Sequence, residues 1–196
     1  MKIWRLESNP DKWLSIQASS ITYFSNHFIG KKMPDEWSPP AYEILGKSKK
    51  IPDYISWVIG APLIVERFAN AIQHWEGSYI QLLPFGQIKN KRIFALNVIK
   101  VINNIVDMDR SEISYLGPDR IFSGIKKTVF KNFQSELPPI FKLEKEISRE
   151  IYVSEEFCKL VVDHQFTGLC LADPAIDSFK LIIRGLDRNV YPGVPG

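Results

Sequence analysis

Two stretches of the chain repeat one hydrophobic pattern. In VSEEFCKLVVDH, residues 153–164, Phe157, Leu160, Val161 and His164 fall at i, i+3, i+4 and i+7, the spacing of one helix face. IVERFANAIQHW, residues 64–75, aligns on it without a gap and puts Phe68, Ala71, Ile72 and Trp75 in the same four places. A β-rich stretch precedes each copy (APLI and REIYV) and another follows it (SYIQLLP and TGLCLADP). The pattern therefore predicts strand, helix, strand, occurring twice. Ser154 suits the N-cap of the second helix, and Glu155 and Glu156 its first turn, where carboxylates meet unpaired N–H groups. Gly77 and Gly168 suit the turns that return each helix to a strand.

Around this middle zone the pattern changes. Residues 1–50 are rich in aromatic residues and proline, and Pro34, Pro39 and Pro40 break any periodic run. An irregular N-terminal lobe with short strands is expected there, belonging to the same domain as the core over residues 51–174. Residues 175–196 begin with a short apolar strand at Leu181–Ile183 and decay into a Gly/Pro tail that sustains neither ladder nor helix. The expected fold class is α+β, a mixed and mainly antiparallel sheet with a few packed helices.

Composition narrows the class. At 196 residues, with 45% hydrophobic and 24% charged content, the chain is long enough for one domain with a sizeable core. No window approaches the run of about 18 apolar residues that a membrane helix needs. The start, MKIWRLESNPDKW, has no uninterrupted apolar core, so no secretory signal is expected. Two cysteines, Cys158 and Cys170, then point to a reducing cytoplasm. The net charge of +3 is dispersed. Its densest clusters, Lys47, Lys49 and Lys50, and Lys126, Lys127 and Lys131, do not interleave with stacking aromatics, so a solvated surface is expected and no nucleic-acid partner. A weakly basic nucleic-acid module remains as an alternative.

EEFCKLVVDHQF, residues 155–166, contains the residue types of a metal site or a thiol nucleophile. Helix geometry separates them. At about 100° per residue, Cys158 and His164 point roughly 120° apart, and the adjacent Asp163 and His164 also diverge. Cys170 lies beyond the turn on a strand. No CxxC, HExxH, GxGxxG, Walker or GxSxG pattern occurs. Asp107 and Asp109 in IVDMDRSEI lack the later ligands of a calcium loop and fit a strand end followed by a polar turn. The two cysteines are expected to be buried thiols, and His164 to close the apolar stripe at the helix end. No catalytic, cofactor-binding or metal-ligating residue is assigned. The competing reading is a small enzyme whose thiol or metal site is assembled by folding from His27, His74, Cys158 and aspartates.

The order of several short blocks resembles a known family. These are IPDYI, GAPLIVERF, YIQLLPF, FALNVIKVINNIVDMDRSEI, PPIFKLE and IYVSEEFCKLVVDHQFTGLCLADP, running from residue 51 to 174. The sequence is similar to the bacterial immunity proteins of polymorphic toxin systems, a family with a Myxococcus namesake and formerly a domain of unknown function. The blocks are short, and the likeness lies in their order and spacing; residues 1–50 match only loosely. The resemblance implies a non-catalytic cytoplasmic protein that binds and neutralises a cognate toxin domain, and it brings no catalytic residues with it.

A binder needs a surface. The sequence offers Asp35, Glu36, Trp37 and Tyr42 in PDEWSPPAY, aromatic and acidic residues in a proline-rich loop. Trp37 is equally suited to covering the core from that loop. The small positive charge differs from an acidic inhibitor clamped over a basic nuclease. The oligomeric state is left open.

Overall fold

The computed structural model describes residues 2–9, 13–19, 27–46, 49–58, 60–132, 136–147 and 149–176. The predicted C-terminal strand at residues 181–183 lies outside the described residues. Thirteen strands and two α-helices are assigned among those described, in an α+β arrangement.

The strands form four sheets. Strands β4 (Tyr54–Val58), β5 (Ala61–Val65), β6 (Ile80–Ile88) and β7 (Lys91–Val98) make an antiparallel sheet in the order β4-β5-β7-β6. Strands β1 (Trp4–Ser8), β8 (Val101–Ile102), β11 (Ile140–Leu143), β12 (Tyr152–Val153) and β13 (Leu169–Ala172) make a second, in the order β13-β1-β12-β11-β8. Within it only β8 and β11 run parallel as neighbours. Two hairpin-like pairs complete the set: β2 (Ser15–Ala18) with β3 (Tyr42–Leu45), and β9 (Glu112–Leu116) with β10 (Ile121–Lys127).

The repeated pattern has a topological counterpart. In the first unit β5 leads through helix α1 (Glu66–Ile72) and a 3₁₀ turn at Gln73–Trp75 to β6. Since β7 is antiparallel to both, β5 and β6 run parallel with β7 between them. In the second unit β12 leads through helix α2 (Glu155–His164) to β13, and here β1 is the antiparallel strand between them. Both units are split strand–helix–strand motifs; one takes its central strand from the following hairpin and the other from the chain's N-terminal segment.

The two helices meet over an aromatic cluster. Phe68 lies 6.2 Å from Phe157 and 4.2 Å from Phe166, and Trp75 stacks 5.9 Å from Phe157, measured between ring centroids. Helices of seven and ten residues are too short to be stable alone, so this packing is what maintains them. The main core takes Trp4 and Leu6 from β1, Ile140 from β11 and Val153 from β12, whereas Ile3, Phe141, Leu143 and Tyr152 join a second, smaller core. Strand alternation thus fills both sides of the five-stranded sheet, and β11 is buried along its whole length.

At its ends the second helix departs from expectation in two details. Ser154 holds the N-cap position, but its buried hydroxyl makes no capping bond among the described residues. At the C-terminus Gln165 caps the helix in the left-handed conformation, with φ +50°. Gly168 (φ +88°) is required three residues later for a close approach, because a Cβ there would collide with the Tyr54 carbonyl and the Pro52 ring.

Candidate interaction surface

The reactive residue types of α2 do not converge. Phe157, Cys158 and Val161 are the buried positions, while His164 is exposed and lies flat on Phe166, 5.1 Å between ring centroids. His164 therefore does not close the apolar stripe. Burial pushes the Cys158 thiol up to about 12, which keeps it protonated near neutral pH, the opposite of an activated nucleophile. Cys170 is buried on β13, and His74 is exposed beside the Trp75 ring. Among the described residues no three His, Cys, Asp or Glu side chains are grouped to hold a metal ion. Asp107 shapes the turn before β9: its carboxylate accepts the Arg110 N–H at 3.2 Å, and its carbonyl accepts the Ser111 hydroxyl at 2.6 Å.

Three buried charged residues, Asp53, Lys142 and Glu146, hold segments together. Asp53, before β4, receives the Arg67 guanidinium on both carboxylate oxygens at 2.6 Å, and Thr167 donates its N–H at 2.9 Å and its hydroxyl at 2.8 Å. Burial opposes the charged form of Asp53, but these hydrogen bonds outweigh it and hold the carboxyl below its ordinary range. Arg67 also donates to the His164 and Gln165 carbonyls at the end of α2 and lies 4.9 Å from the Phe166 ring centroid. This cluster ties β4, α1 and α2 into one corner.

Lys142 on β11 is fully buried, and its ammonium donates to the carbonyls of Phe28 at 2.5 Å, Gly60 at 2.9 Å and Ile147 at 2.9 Å. Burial lowers its pKa to about 7, and the three acceptors match the three donors of the protonated form. Glu146, also buried, accepts the Ile125 N–H at 2.8 Å and the Tyr152 hydroxyl at 2.6 Å. Neither Lys142 nor Glu146 lines either of the two depressions with the best definition. One of these, about 90 Å³, lies among Ile102, Ile105, Val106 and Met108. The other, about 390 Å³, is open and polar, between the β6–β7 turn and the start of α1.

The loop singled out from sequence is divided by the fold. Asp35 and Glu36 are exposed in the turn after Pro34, and the Trp37 N–H closes that turn on the Pro34 carbonyl at 3.1 Å. Trp37 and Tyr42 are half-buried against the main core, Tyr42 with its ring centroid 4.8 Å from that of Phe85. The buried Trp37 indole N–H has no hydrogen-bond partner among the described residues. The two carboxylates therefore face outward, while much of the aromatic surface faces the core.

The β9–β10 hairpin presents a different surface. All eight residues from Tyr115 to Phe122 are exposed, and four of them are large and apolar: Tyr115 (44%), Leu116 (60%), Ile121 (65%) and Phe122 (39%). They form two facing cross-strand pairs, Ile121 with Leu116 and Phe122 with Tyr115. Between them Gly117-Pro118-Asp119-Arg120 makes the turn, closed by the Arg120 N–H on the Gly117 carbonyl at 3.2 Å, with proline at its second position. The Arg120 guanidinium lies 4.6 Å from the Tyr115 ring centroid. At the base, Ile113 and Ile125 join the second core, Ser123 bonds Ser114 across the strands at 2.9 Å, and Lys127 pairs with Glu112 at 2.5 Å. With Glu146 holding the Ile125 N–H, the base is fixed to the domain while the tip projects from it.

Sequence reasoning passed over this hairpin although a local signal was present. In SYLGPDRIFS the apolar residues abut the turn on both sides, where a solvated hairpin would carry polar ones. No helix among the described residues is long and apolar enough to cross a membrane. No family model matches the chain, and no curated protein matches it either.

Proposed function

We propose that this chain is a non-catalytic immunity protein that binds a cognate toxin domain in the cytoplasm and neutralises it. The observation that carries the reading is the projecting hairpin tip, which exposes Tyr115, Leu116, Ile121 and Phe122 on an anchored base. Exposed apolar clusters of this kind mark protein interaction sites, and the Tyr, Phe and Arg at the tip are residue types that dominate binding energy. The resemblance of the order of its sequence blocks to that of polymorphic-toxin immunity proteins supports the same reading. Asp35 and Glu36 are assigned to the periphery of the contact, since both are exposed acidic groups on another loop. The test is co-expression with the toxin domain encoded beside this chain's gene. The expected result is a complex that survives purification and restored growth of cells making the toxin; a pair that does neither rejects the reading.

A further inference from the structure

We infer that the β9–β10 hairpin acts as a plug, its apolar tip entering a concave apolar cleft of the toxin domain whose wall carries a carboxylate. This rests on the proposed function above and specifies how the partner is held. Leu116 and Ile121 face one side of the hairpin and Tyr115 and Phe122 the other, and all four are exposed, so a flat partner covers only one pair. At the exposures they show, they offer on the order of 400 Å², taking about 200 Å² for each large side chain. A stable interface needs about 800 Å² per partner. Flat contact, including tip-to-tip pairing of two copies, therefore falls short, whereas a cleft that wraps the tip and its flanks reaches the required area.

Two surface depressions that a second copy would offer do not fit the tip. The depression beside Val106, which Asn104, Lys131, Glu144 and Lys145 also line, is about 90 Å³, far below the roughly 300–1,000 Å³ of cavities that hold ligands of comparable bulk. The larger one, about 390 Å³, is lined by Glu66, Arg67, Gln87, Asn90, Lys91 and Arg92 around Val65 and would desolvate charges against an apolar tip.

Charge gives the remaining specification. Arg120 lies over Tyr115, and among the described residues no carboxylate pairs with it. Once the tip is enclosed, that cation requires an anionic or carbonyl partner, which a carboxylate satisfies best, and Asp119, the exposed carboxylate beside it in the turn, requires a donor from the same cleft. Single-stranded nucleic acid is the competing occupant, because Tyr115, Phe122 and Arg120 are stacking residues. Leu116 and Ile121 argue against it: they are the most exposed of the four apolar residues and have no ring face on which a base could stack.

The test measures binding of the full chain to the toxin domain encoded beside its gene, comparing wild type with the Leu116→Glu/Ile121→Glu double variant, Arg120→Ala and Lys126→Ala. Circular dichroism and thermal melting verify that each variant is folded. The expected result is at least a 100-fold loss of affinity for the double variant, about 10-fold or more for Arg120→Ala, and no change for Lys126→Ala. If wild type binds and the folded double variant binds equally well, the plug is wrong and the immunity reading stands. If wild type does not bind, both fall. Sedimentation that shows a wild-type dimer converted to monomer by the double substitution, or salt-sensitive binding of a labelled oligonucleotide abolished in Arg120→Ala, also overturns the plug.

Discussion

Phe68 and Phe157 stand at equivalent positions of the two strand–helix–strand units, and their rings meet across the junction of the helices, 6.2 Å between centroids. Both are fully buried. Since each helix is too short to persist alone, the contact couples the two units, and loss of either ring leaves a cavity that the other unit also lines. Phe68→Ala and Phe157→Ala are each expected to cost about 3–5 kcal/mol. Their double-mutant cycle should show an interaction of about 0.5–1.5 kcal/mol, measured by urea denaturation. Strict additivity would mean that the units are energetically independent.

The equivalence of the two positions was legible from sequence, because helical spacing and burial coincide at Phe68, Ile72, Phe157 and Val161, whereas the contact between them depends on tertiary packing. His164 broke the pattern for a local reason. The chain leaves the helix at Gln165 with a positive φ, so the last position lies past the packed face and its ring is laid on Phe166. The place of β1 was not legible, because both of its sheet neighbours come from residues about 150 positions further along, and a five-residue strand carries no mark of a distant partner. Lys142 and Glu146 were missed for a related reason. Composition counts them as surface, and their acceptors and donors are set by tertiary contacts. Of the residues expected at a partner surface, Asp35 and Glu36 are exposed and Trp37 and Tyr42 are half-buried, while the larger apolar surface lies on a hairpin whose only sequence mark is local, the apolar residues that abut its turn.

Asp53 supplies a pH dependence. Its carboxyl is held below the ordinary value in the folded state, so the unfolded chain binds more protons as pH falls. The contribution is fully present above the unfolded pKa of about 4 and is lost as pH drops through the lower folded value. Stability of wild type measured by urea denaturation between pH 5 and pH 2 should therefore fall more steeply than that of Asp53→Asn. Equal slopes would show that the Arg67 and Thr167 contacts do not stabilise the ionised form.

Gly168 tests the close approach between the end of the second unit and the start of β4. A methyl group there would meet both the Tyr54 carbonyl and the Pro52 ring, at a φ of +88°. Left-handed backbone costs a non-glycine residue roughly 1–2 kcal/mol and overpacking a further 1–3. Gly168→Ala is expected to destabilise by about 2–5 kcal/mol in chemical denaturation. By contrast Gly77→Ala, whose Cβ would meet nothing within 4 Å, carries the backbone cost alone. Equal losses for the two would place the clash elsewhere.

Lys142 joins three segments through one ammonium group, and its removal leaves the Phe28, Gly60 and Ile147 carbonyls without that donor. Lys142→Met keeps the volume of the stem but not the bonds. The expected loss is about 3–5 kcal/mol, since each buried carbonyl left unsatisfied costs about 1–3 and the apolar stem offsets part of the sum. Faster amide hydrogen exchange should accompany it around residues 28–33, where Gln81 and Asn97 supply the other side-chain bonds to the segment. Unchanged exchange there would show that Gln81 and Asn97 hold the segment without Lys142.

The hairpin should divide energetically into a base that stabilises the domain and a tip that does not. Glu146→Ala leaves the Ile125 N–H and the Tyr152 hydroxyl without their carboxylate and should cost about 2–4 kcal/mol, since each unsatisfied buried group costs about 1–3. The Tyr152 hydroxyl keeps the Thr128 hydroxyl within 3.3 Å, which sets the expectation below the full sum. Leu116→Glu and Ile121→Glu replace side chains that are 60% and 65% exposed, and each should shift stability by no more than about 0.5 kcal/mol. Chemical denaturation of the three variants separates the two behaviours. A large loss at Leu116 or Ile121 would mean that the tip packs within its own domain, and the surface offered to a partner would then be correspondingly smaller.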